Sequence, residues 1–374
     1  MNKIFPKLNQ GIHNDNSITS LLYKTIDKLL SKGKLSKEEY LYILDNITEF
    51  EMQYLFKTAN SVKEKYYQKK VYLRALIEIS NYCSRGCFYC GINRSNLHVK
   101  RYHLSKEQIL SCASKAYLLG YRTFVLQGGE DAYFNDSLLV DIISDIKNKF
   151  PDSRITLSLG EKSYNSYKLL KDAGADRYLL RHETATESHY NLLHPKDMSY
   201  KTRIDALYNL KKLGFQTGGG FMVGSPFQMN FNLANDLLFL EKLQPEMVGI
   251  GPFIDHEHTK FKDFKNGGLY ETLIMVSLAR LVVPRGLIPA TTALGTIEDG
   301  GREMALKSGA NVLMPNFSPT ETVDLYKIYR NKLTSKDNYQ QFRDRLEIKL
   351  KNNGHNVDYS VGDFMEKEGI YNDQ

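Results

Sequence analysis

Three cysteines within eight residues carry the clearest chemistry in the sequence. Cys83, Cys87 and Cys90 have C-x3-C-x2-C spacing, and the chain has four cysteines in all. Three thiolates on one short loop can bind three irons of a cubane 4Fe-4S cluster, which leaves the fourth iron without a protein ligand. As with zinc, an open coordination position distinguishes a reacting metal site from a closed structural one. The spacing therefore predicts one reactive 4Fe-4S cluster.

Two other interpretations of these cysteines remain open at this point. A zinc site could be completed by His98 or His103, although structural zinc normally uses two ligand pairs separated by a longer loop, and no second pair occurs here. The three thiols could also be core residues that cluster by coincidence. The fourth cysteine, Cys112, lies in a predicted helix beside Ala113 and Ala116, which is typical of a small core residue.

The elements that would position the cysteine loop alternate regularly from residue 71 onward. Short apolar runs alternate with stretches of helical periodicity, which predicts parallel strands connected by helices. Eight strands close a TIM-type (βα)8 barrel, and an open doubly wound sheet is the structural alternative. The cysteines follow the first strand, at the barrel end where enzymes of this fold place their chemistry. The predicted strands are 73–80, 123–128, 155–160, 177–183, 216–223, 247–253, 288–293 and 311–316.

The chain is predicted to have three parts. Residues 1–70 are polar with helical periodicity and form an N-terminal helical preface, residues 71–317 form the barrel, and residues 318–374 form a polar C-terminal extension. The 374 residues are 42% hydrophobic and 25% charged, which is ordinary for a globular protein. We therefore do not expect a disordered or fibrous protein.

Charge and hydropathy exclude two classes of partner. The net charge of +7 is spread along the chain, whereas a nucleic-acid-binding protein would more often show a basic cluster. No apolar run reaches the about 18 residues needed to span a bilayer, and the first residues lack the apolar core of a signal peptide. We expect a soluble, cytoplasmic protein that binds neither nucleic acid nor membrane.

Polar residues at inward positions of the predicted strands are candidates for ligand binding. Gly128 and Gly129 precede Glu130 where a strand meets a helix, and glycine lets the backbone approach a ligand closely. Two arginines and two adjacent threonines within a mostly apolar barrel can bind a carboxylate or a cyanide-like ligand. The predicted substrate-facing residues are Thr156, Arg177, Arg181, Met247, Thr291, Thr292 and Met314.

The cysteine motif, with an aromatic residue before its last cysteine and a position after the first of eight strands, resembles the radical S-adenosylmethionine superfamily. The resemblance implies that S-adenosylmethionine chelates the open iron and that one electron from the reduced cluster cleaves it to a 5′-deoxyadenosyl radical. It also implies which residues contact this cofactor, namely Tyr89, Gln127, Gly128, Gly129, Glu130, Glu183 and Arg203.

Further segments, in order and over residues 71–317, resemble the HydE family of FeFe-hydrogenase maturases. The strings AGADRYLLRHETA and ATTALGT carry most of this resemblance. It implies an enzyme that helps to build the diiron part of the hydrogenase active site from a small substrate, for example an iron–cysteine precursor passed on by another maturase. Its expected partners are a reductant such as ferredoxin or flavodoxin and other hydrogenase maturases.

Two functional alternatives remain. Methylornithine synthase and biotin synthase are similar in motif and barrel, so the chain could be such a radical enzyme acting on a small amino-acid-like substrate. An iron–sulfur electron carrier is the alternative from another class, but a carrier normally closes its cluster with four protein ligands. The missing fourth cysteine in the motif counts against a carrier.

Overall fold

The computed structural model describes residues 4–8, 16–334 and 339–365, and thirteen α-helices, eleven strands and one 3-10 turn lie within them. No helix in these ranges is long and apolar enough to cross a membrane. In chain order the elements are α1 (Asn16–Lys32), α2 (Lys37–Asn46), α3 (Glu49–Tyr67), β1 (Lys70–Leu73), β2 (Ala75–Ser80), α4 (Lys106–Leu118), β3 (Thr123–Gly128), α5 (Asp136–Lys149), β4 (Arg154–Ser158), α6 (Tyr164–Asp172), β5 (Arg177–Leu179), α7 (Glu187–Leu193), α8 (Tyr200–Lys212), β6 (Gln216–Gly219), β7 (Met222–Val223), α9 (Asn230–Leu243), β8 (Met247–Val248), β9 (Gly251–Pro252), α10 (Leu269–Val282), α11 (Thr292–Ile297), α12 (Gly301–Lys307), β10 (Val312–Leu313), the turn Val323–Leu325, α13 (Tyr339–Asn352) and β11 (Asn356–Asp358).

Eight parallel segments form a closed ring. Strands β2, β3, β4, β5, β6 and β8 form one sheet in that order. Parallel bridges from β8 to residue 287, from residue 289 to β10, and from β2 to residue 316 complete the ring. The predicted (βα)8 barrel is therefore confirmed, and the open doubly wound sheet is excluded. All eight predicted strands contribute to the ring in their expected order.

The periodicity of the sequence explains why these layers form. All six residues of β2 are buried, as expected for a barrel strand that is covered on both faces. Helix α5 buries Leu139, Ile142, Ile143 and Ile146, which share one face at helical spacing. Helices α4 and α5 are capped at their N-termini by Ser105 and Asn135, whose side chains accept hydrogen bonds from backbone N–H groups of the first turn.

Helices α1–α3 cover one side of the barrel's helical layer. Helix α2 packs on α9, and α3 packs on α10. Helix α10 thus lies between the barrel and α3, which accounts for the burial of every residue from Thr272 to Val282. The buried ammonium of Lys63 in α3 donates a hydrogen bond to Leu306 O at 2.9 Å. Burial lowers the pKa of Lys63 to about 8.

The chain after the barrel contacts both of its ends. Residues 326–332 lie over the carboxyl ends of the strands, here called the mouth. Residues 356–363 return to the amino ends, here called the base, where β11 pairs with β1. The guanidinium of Arg177, fully buried at the base, donates hydrogen bonds to Val361 O at 2.8 Å, Gly362 O at 3.1 Å and Asp363 Oδ1 at 2.7 Å. Residues 366–374 of the predicted extension lie outside the described residues.

Replacing Asp363 with asparagine is expected to lower the free energy of unfolding by about 2 kcal/mol, because the buried Arg177 would lose its carboxylate partner. The midpoint of urea unfolding measures the loss. Asp152→Asn is the matched control, since Asp152 is 54% exposed in its pair with Arg122 and should contribute under about 1 kcal/mol. Equal losses in the two variants would contradict a structural role for the contact at the base.

Candidate active site at the barrel mouth

The cysteine loop directly follows β2 and lines a cavity of about 340 Å³ at the mouth. Cys83, Cys87 and Cys90 are all partly exposed to this cavity. The Sγ atom of Cys83 accepts hydrogen bonds from the backbone N–H groups of Arg85 and Glu130, each at 3.4 Å. Such bonds stabilise a thiolate, which is the form that binds iron.

The three thiols suit a cluster better than a single ion. Within the described ranges, no three His, Cys, Asp or Glu side chains converge as one metal ion would require. A cubane cluster does not require the thiols to converge on one point, because each thiolate binds a different iron. His98 stacks on His258 with ring centroids 4.1 Å apart, His103 stacks on Tyr133 at 3.8 Å, and neither histidine lines the cavity with the cysteines.

Burial keeps the thiols protonated when no metal is bound. It raises the pKa of Cys83 above its usual value and raises that of Cys87 to about 12. The pKa of Cys90 is also raised by burial, and the neighbouring cysteines raise it further. Metal binding must therefore displace protons from these sulfurs.

The glycine loop after β3 lies directly against the cysteine loop. A side chain at Gly129 would place its Cβ 2.1 Å from Tyr82 O and 2.6 Å from the Cβ of Cys83, so the approach of the two loops requires glycine. Gln127, at the end of β3, donates a hydrogen bond from Nε2 to the hydroxyl of Tyr326 at 3.3 Å. Gln127, Gly128, Gly129 and Glu130 all line the cavity.

Replacing Gly129 with alanine is expected to reduce the iron bound after reconstitution severalfold, because the new Cβ would displace the backbone around Cys83. Gly219→Ala is the matched control, since its nearest contact, Leu243 Cδ2, lies at an ordinary 3.5 Å. Iron and sulfide per chain are measured in both variants. Wild-type iron content in Gly129→Ala would contradict the requirement for glycine.

A chain of alternating charges connects the cysteine loop to α8. Arg85 forms ion pairs with Glu130 and, at 3.4 Å, with Glu161. Glu161 also pairs with Arg203, which is only 6% exposed and donates a hydrogen bond to Arg181 O at 2.8 Å. Burial alone would lower the pKa of Arg203, but the adjacent Glu161 raises it above its usual value. These contacts fix Arg203 in one orientation at the cavity wall.

Glu183 has an unusual backbone conformation after β5. Its φ is +66°, a left-handed value that costs a residue other than glycine roughly 1–3 kcal/mol. The strain is held by backbone hydrogen bonds from Glu183 N to Gly220 O at 3.1 Å and from Met222 N to Glu183 O at 3.2 Å. Oε2 lies 2.7 Å from Nη2 of Arg181, but the angle leaves it without a hydrogen bond among the described residues. This buried oxygen can therefore accept one from a ligand.

A buried pair supports the backbone around Glu183. His182 accepts a hydrogen bond on Nδ1 from Gly220 N at 3.2 Å, and its Nε2 lies 3.3 Å from Oδ1 of Asp236. Burial lowers the pKa of His182 to about 3, so the ring is neutral. Asp236 also accepts a hydrogen bond from Ala185 N at 2.5 Å. His182 is thus a structural residue behind the cavity wall.

The structure brings together most of the predicted site residues, but not all of them. The residues that line the cavity are Cys83, Cys87, Tyr89, Cys90, Gln127, Gly128, Gly129, Glu130, Arg181, Glu183, Arg203, Thr291, Thr292 and Met314. The hydroxyl of Tyr89 lies 3.1 Å from Nε2 of His194.

Thr156, Arg177 and Met247 do not line the cavity, so the structure does not bring these three predicted substrate contacts together with the others. Arg177 and Met247 begin β5 and β8, and Thr156 pairs with Arg177 in register, so all three lie towards the base. Met247 packs with Tyr67, Leu287 and other buried residues there. An inward position on a barrel strand reaches the mouth only near the carboxyl end of the strand.

Sequence reasoning missed several cavity residues. Glu78 is completely buried in β2 and forms an ion pair with Lys332 at 2.6 Å. Burial raises the pKa of Glu78 despite this pair. The carboxylate inside an apolar strand was a detectable signal, because a buried acid needs a partner. Tyr326, Tyr329 and Lys332 come from the extension, where no motif marks them.

A (βα)8 barrel with three cysteine thiols and a glycine loop beside one cavity is the arrangement expected of a radical S-adenosylmethionine enzyme, and the comparisons with known proteins show this class. The model of the Radical SAM superfamily matches residues 77–234 of the chain. Enzymes of this class use a 4Fe-4S cluster with three cysteine ligands together with S-adenosylmethionine.

Comparison with individual proteins narrows the class. The chain is 47% identical to the [FeFe] hydrogenase maturase subunit HydE of Thermotoga maritima, over 75% of this chain and 79% of that protein. It is 27% identical to the 3-methylornithine synthase of Methanosarcina acetivorans, over 80% and 85%. A crystal structure of methylornithine synthase superimposes with a TM-score of 0.78 at 23% identity, covering 89% of this chain and 97% of that one. Because of its 47% identity to HydE over 75% of its length, the chain belongs to the HydE family.

Proposed function

We propose that this enzyme acts in the maturation of FeFe hydrogenase, with Cys83, Cys87 and Cys90 as the cluster ligands. The observation that carries the proposal is the cavity at the mouth, which the three thiols share with three arginines and two threonines. When bound, the cluster supplies the electron that cleaves S-adenosylmethionine to a 5′-deoxyadenosyl radical. The proposed role in maturation is taken from the HydE protein of Thermotoga maritima, to which the chain is 47% identical.

Residues on two sides of the cavity would hold S-adenosylmethionine. Arg203 offers a preoriented guanidinium for its carboxylate, since a planar fork matches two oxygens. Glu183 offers Oε2 as an acceptor for the ribose hydroxyls or the ammonium group. The remaining predicted contacts lie on the cluster side of the cavity and are Tyr89, Gln127, Gly128, Gly129 and Glu130.

A second group of cavity residues would hold a small anionic substrate. Arg181 supplies positive charge, and Thr291 and Thr292 supply hydroxyl groups, while Met314 contributes an apolar surface. The hydroxyl of Thr291 is buried without a hydrogen-bond partner among the described residues. Tyr326 and Lys332 partly close the mouth, which limits the water and other hydrogen donors that could quench a radical. We propose an iron–cysteine complex as the substrate that this group of residues binds.

The proposed partners follow from this chemistry. A ferredoxin or flavodoxin would supply the electron, and other maturases would supply the substrate and accept the product. We place the reaction in the cytoplasm, because free thiols and a reducible cluster persist in a reducing compartment.

The test compares two candidate substrates with the reconstituted, reduced enzyme. We expect an iron–cysteine complex to be consumed together with S-adenosylmethionine, with one 5′-deoxyadenosine released per turnover, and we expect lysine to be unchanged. Conversion of lysine to methylornithine would instead assign the chain the activity of its more distant relative. Cleavage without consumption of the iron complex would also contradict the proposal.

A further inference from the structure

Four phenylalanines pack in one cluster beside the cysteine loop, and this cluster with its two exposed rings is here called the aromatic surface. Phe88 lies between Cys87 and Cys90, and its ring centroid is 6.1 Å from that of Phe261. Phe261 in turn lies 6.1 Å from Phe227 and 5.3 Å from Phe264. Phe227 is 53% exposed and Phe264 is 40% exposed. Phe261 is buried, at 2% exposure, and the exposed rings of Phe227 and Phe264 pack on it with their own centroids 5.8 Å apart. Two adjacent exposed rings on a buried aromatic base indicate a binding surface.

Five exposed lysines surround the cysteine loop and the aromatic surface, and they are here called the cationic rim. Nζ of Lys260 lies 4.1 Å from the ring centroid of Phe88. Three exposed acids lie close to these lysines in the sequence, and each has another basic neighbour. Asp197 pairs with Arg94 at 2.7 Å, Asp263 lies 3.4 Å from Arg330, and Glu257 lies 3.7 Å from His258. The cationic rim consists of Lys196, Lys260, Lys262, Lys265 and Lys327.

Two close contacts place the chain at Lys196 and at Lys327 beside the cysteine loop. A Cβ on Gly86 would lie 3.1 Å from Cγ of Pro195, the residue before Lys196. A Cβ on Gly91 would lie 2.2 Å from Lys327 O. The cysteine loop thus contributes Phe88 to the aromatic surface, and chain segments that carry lysines of the cationic rim lie against the same loop.

We propose that the aromatic surface and the cationic rim bind an acidic one-electron donor protein. The proposal rests on the proposed function, since only a redox-active cluster at Cys83, Cys87 and Cys90 needs such a donor. A donor with an acidic surface is complementary to the rim, and complementary charges accelerate and orient encounter. One electron leaves the donor, which is oxidised, and enters the cluster, which is reduced.

The docking geometry suits electron transfer because the surface includes the cluster loop itself. Phe88 and Tyr89 are consecutive, and both pack partly buried against Leu193, Phe253 and neighbouring apolar residues. Tyr89 lines the cavity, whereas Phe88 contributes to the aromatic surface. A protein bound on that surface is separated from the cluster by this single turn of chain.

The test measures binding of a purified acidic 2[4Fe-4S] ferredoxin to the full chain at about 50 mM salt. We expect the double variant Lys260→Glu/Lys265→Glu to raise the Kd at least tenfold, and we expect this difference to shrink at about 0.5 M salt, where surface charges are screened. The matched control is Lys115→Glu/Lys212→Glu, which reverses exposed lysines near the carboxyl ends of α4 and α8, towards the base. The control variant should keep the wild-type Kd.

Activity with two reductants separates this proposal from the proposed function. With dithionite, a small reductant, all three proteins should release 5′-deoxyadenosine at the same rate, whereas with reduced ferredoxin only the rim variant should be slow. No product from wild-type protein with dithionite would overturn the proposed function. Equal ferredoxin affinity in the wild type and the rim variant would overturn the docking proposal alone. The docking proposal would also be overturned if analytical ultracentrifugation showed that the wild type is a homodimer and that the rim substitutions dissociate it.

Discussion

Replacing Cys87 with alanine is expected to lower 5′-deoxyadenosine formation by at least about 1,000-fold, because the cluster loses a ligand and with it the electron source. Cys87 lies in the middle of the motif, and its sulfur lies 3.9 Å from Sδ of Met198. The measurement is product per chain under anaerobic reducing conditions, together with iron and sulfide per chain.

Cys112→Ala is the matched control for this variant. Cys112 is 2% exposed in α4 and packs in the main hydrophobic core, outside the cavity. Its replacement should cost about 1 kcal/mol of stability through lost packing and leave the iron content unchanged. Full activity in Cys87→Ala, or loss of the cluster in Cys112→Ala, would contradict the assignment of ligands.

Arg203→Lys is expected to raise the KM for S-adenosylmethionine about 100-fold, equivalent to about 2.7 kcal/mol. Arg203 uses its planar group to contact Glu161 and Arg181 O while presenting donors to the cavity. A lysine keeps the charge but has one ammonium, which cannot hold these contacts and bind a carboxylate through two parallel hydrogen bonds.

Measuring KM and kcat separately tests whether Arg203 binds the carboxylate of S-adenosylmethionine. Because Arg203 is proposed to bind the carboxylate equally before and during cleavage, kcat at saturating S-adenosylmethionine should change little. Arg122→Lys is the control, since Arg122 forms an exposed pair with Asp152 outside the cavity. An unchanged KM in Arg203→Lys would exclude Arg203 from cofactor binding.

The cysteine loop and the barrel were predictable because both depend on local patterns. Thiolate spacing within eight residues is fixed by the chain itself, and each strand and helix shows its own periodicity. The order of parallel strands then follows from right-handed connections between neighbours. Glu183 and Arg203 were expected to contact the cofactor because of the family resemblance, and both line the cavity.

The distance of an inward-facing residue from the mouth of the barrel could not be predicted from local sequence patterns. Arg177 and Arg181 both belong to the predicted strand 177–183, yet Arg177 binds Asp363 at the base while Arg181 lines the cavity. Strand periodicity identifies the face of a residue but gives its distance from the mouth only when the strand ends are known.

The contacts made by the extension could not be predicted from the sequence, because they join residues that are far apart along the chain. Lys332 pairs with Glu78 across 254 positions, and Asp363 reaches Arg177 across 186. No motif marks residues 318–365, and a polar composition predicts only exposure. The sequence therefore predicted the chemistry at the mouth without the segment that partly closes it.

Electron paramagnetic resonance of the anaerobically reconstituted and reduced protein tests the central claim most directly. We expect a 4Fe-4S signal that shifts when S-adenosylmethionine is added, because the cofactor binds the iron that has no cysteine ligand, and we expect 5′-deoxyadenosine to be released. A signal that is indifferent to S-adenosylmethionine, without cleavage product, would contradict the open iron site and the radical chemistry proposed for it.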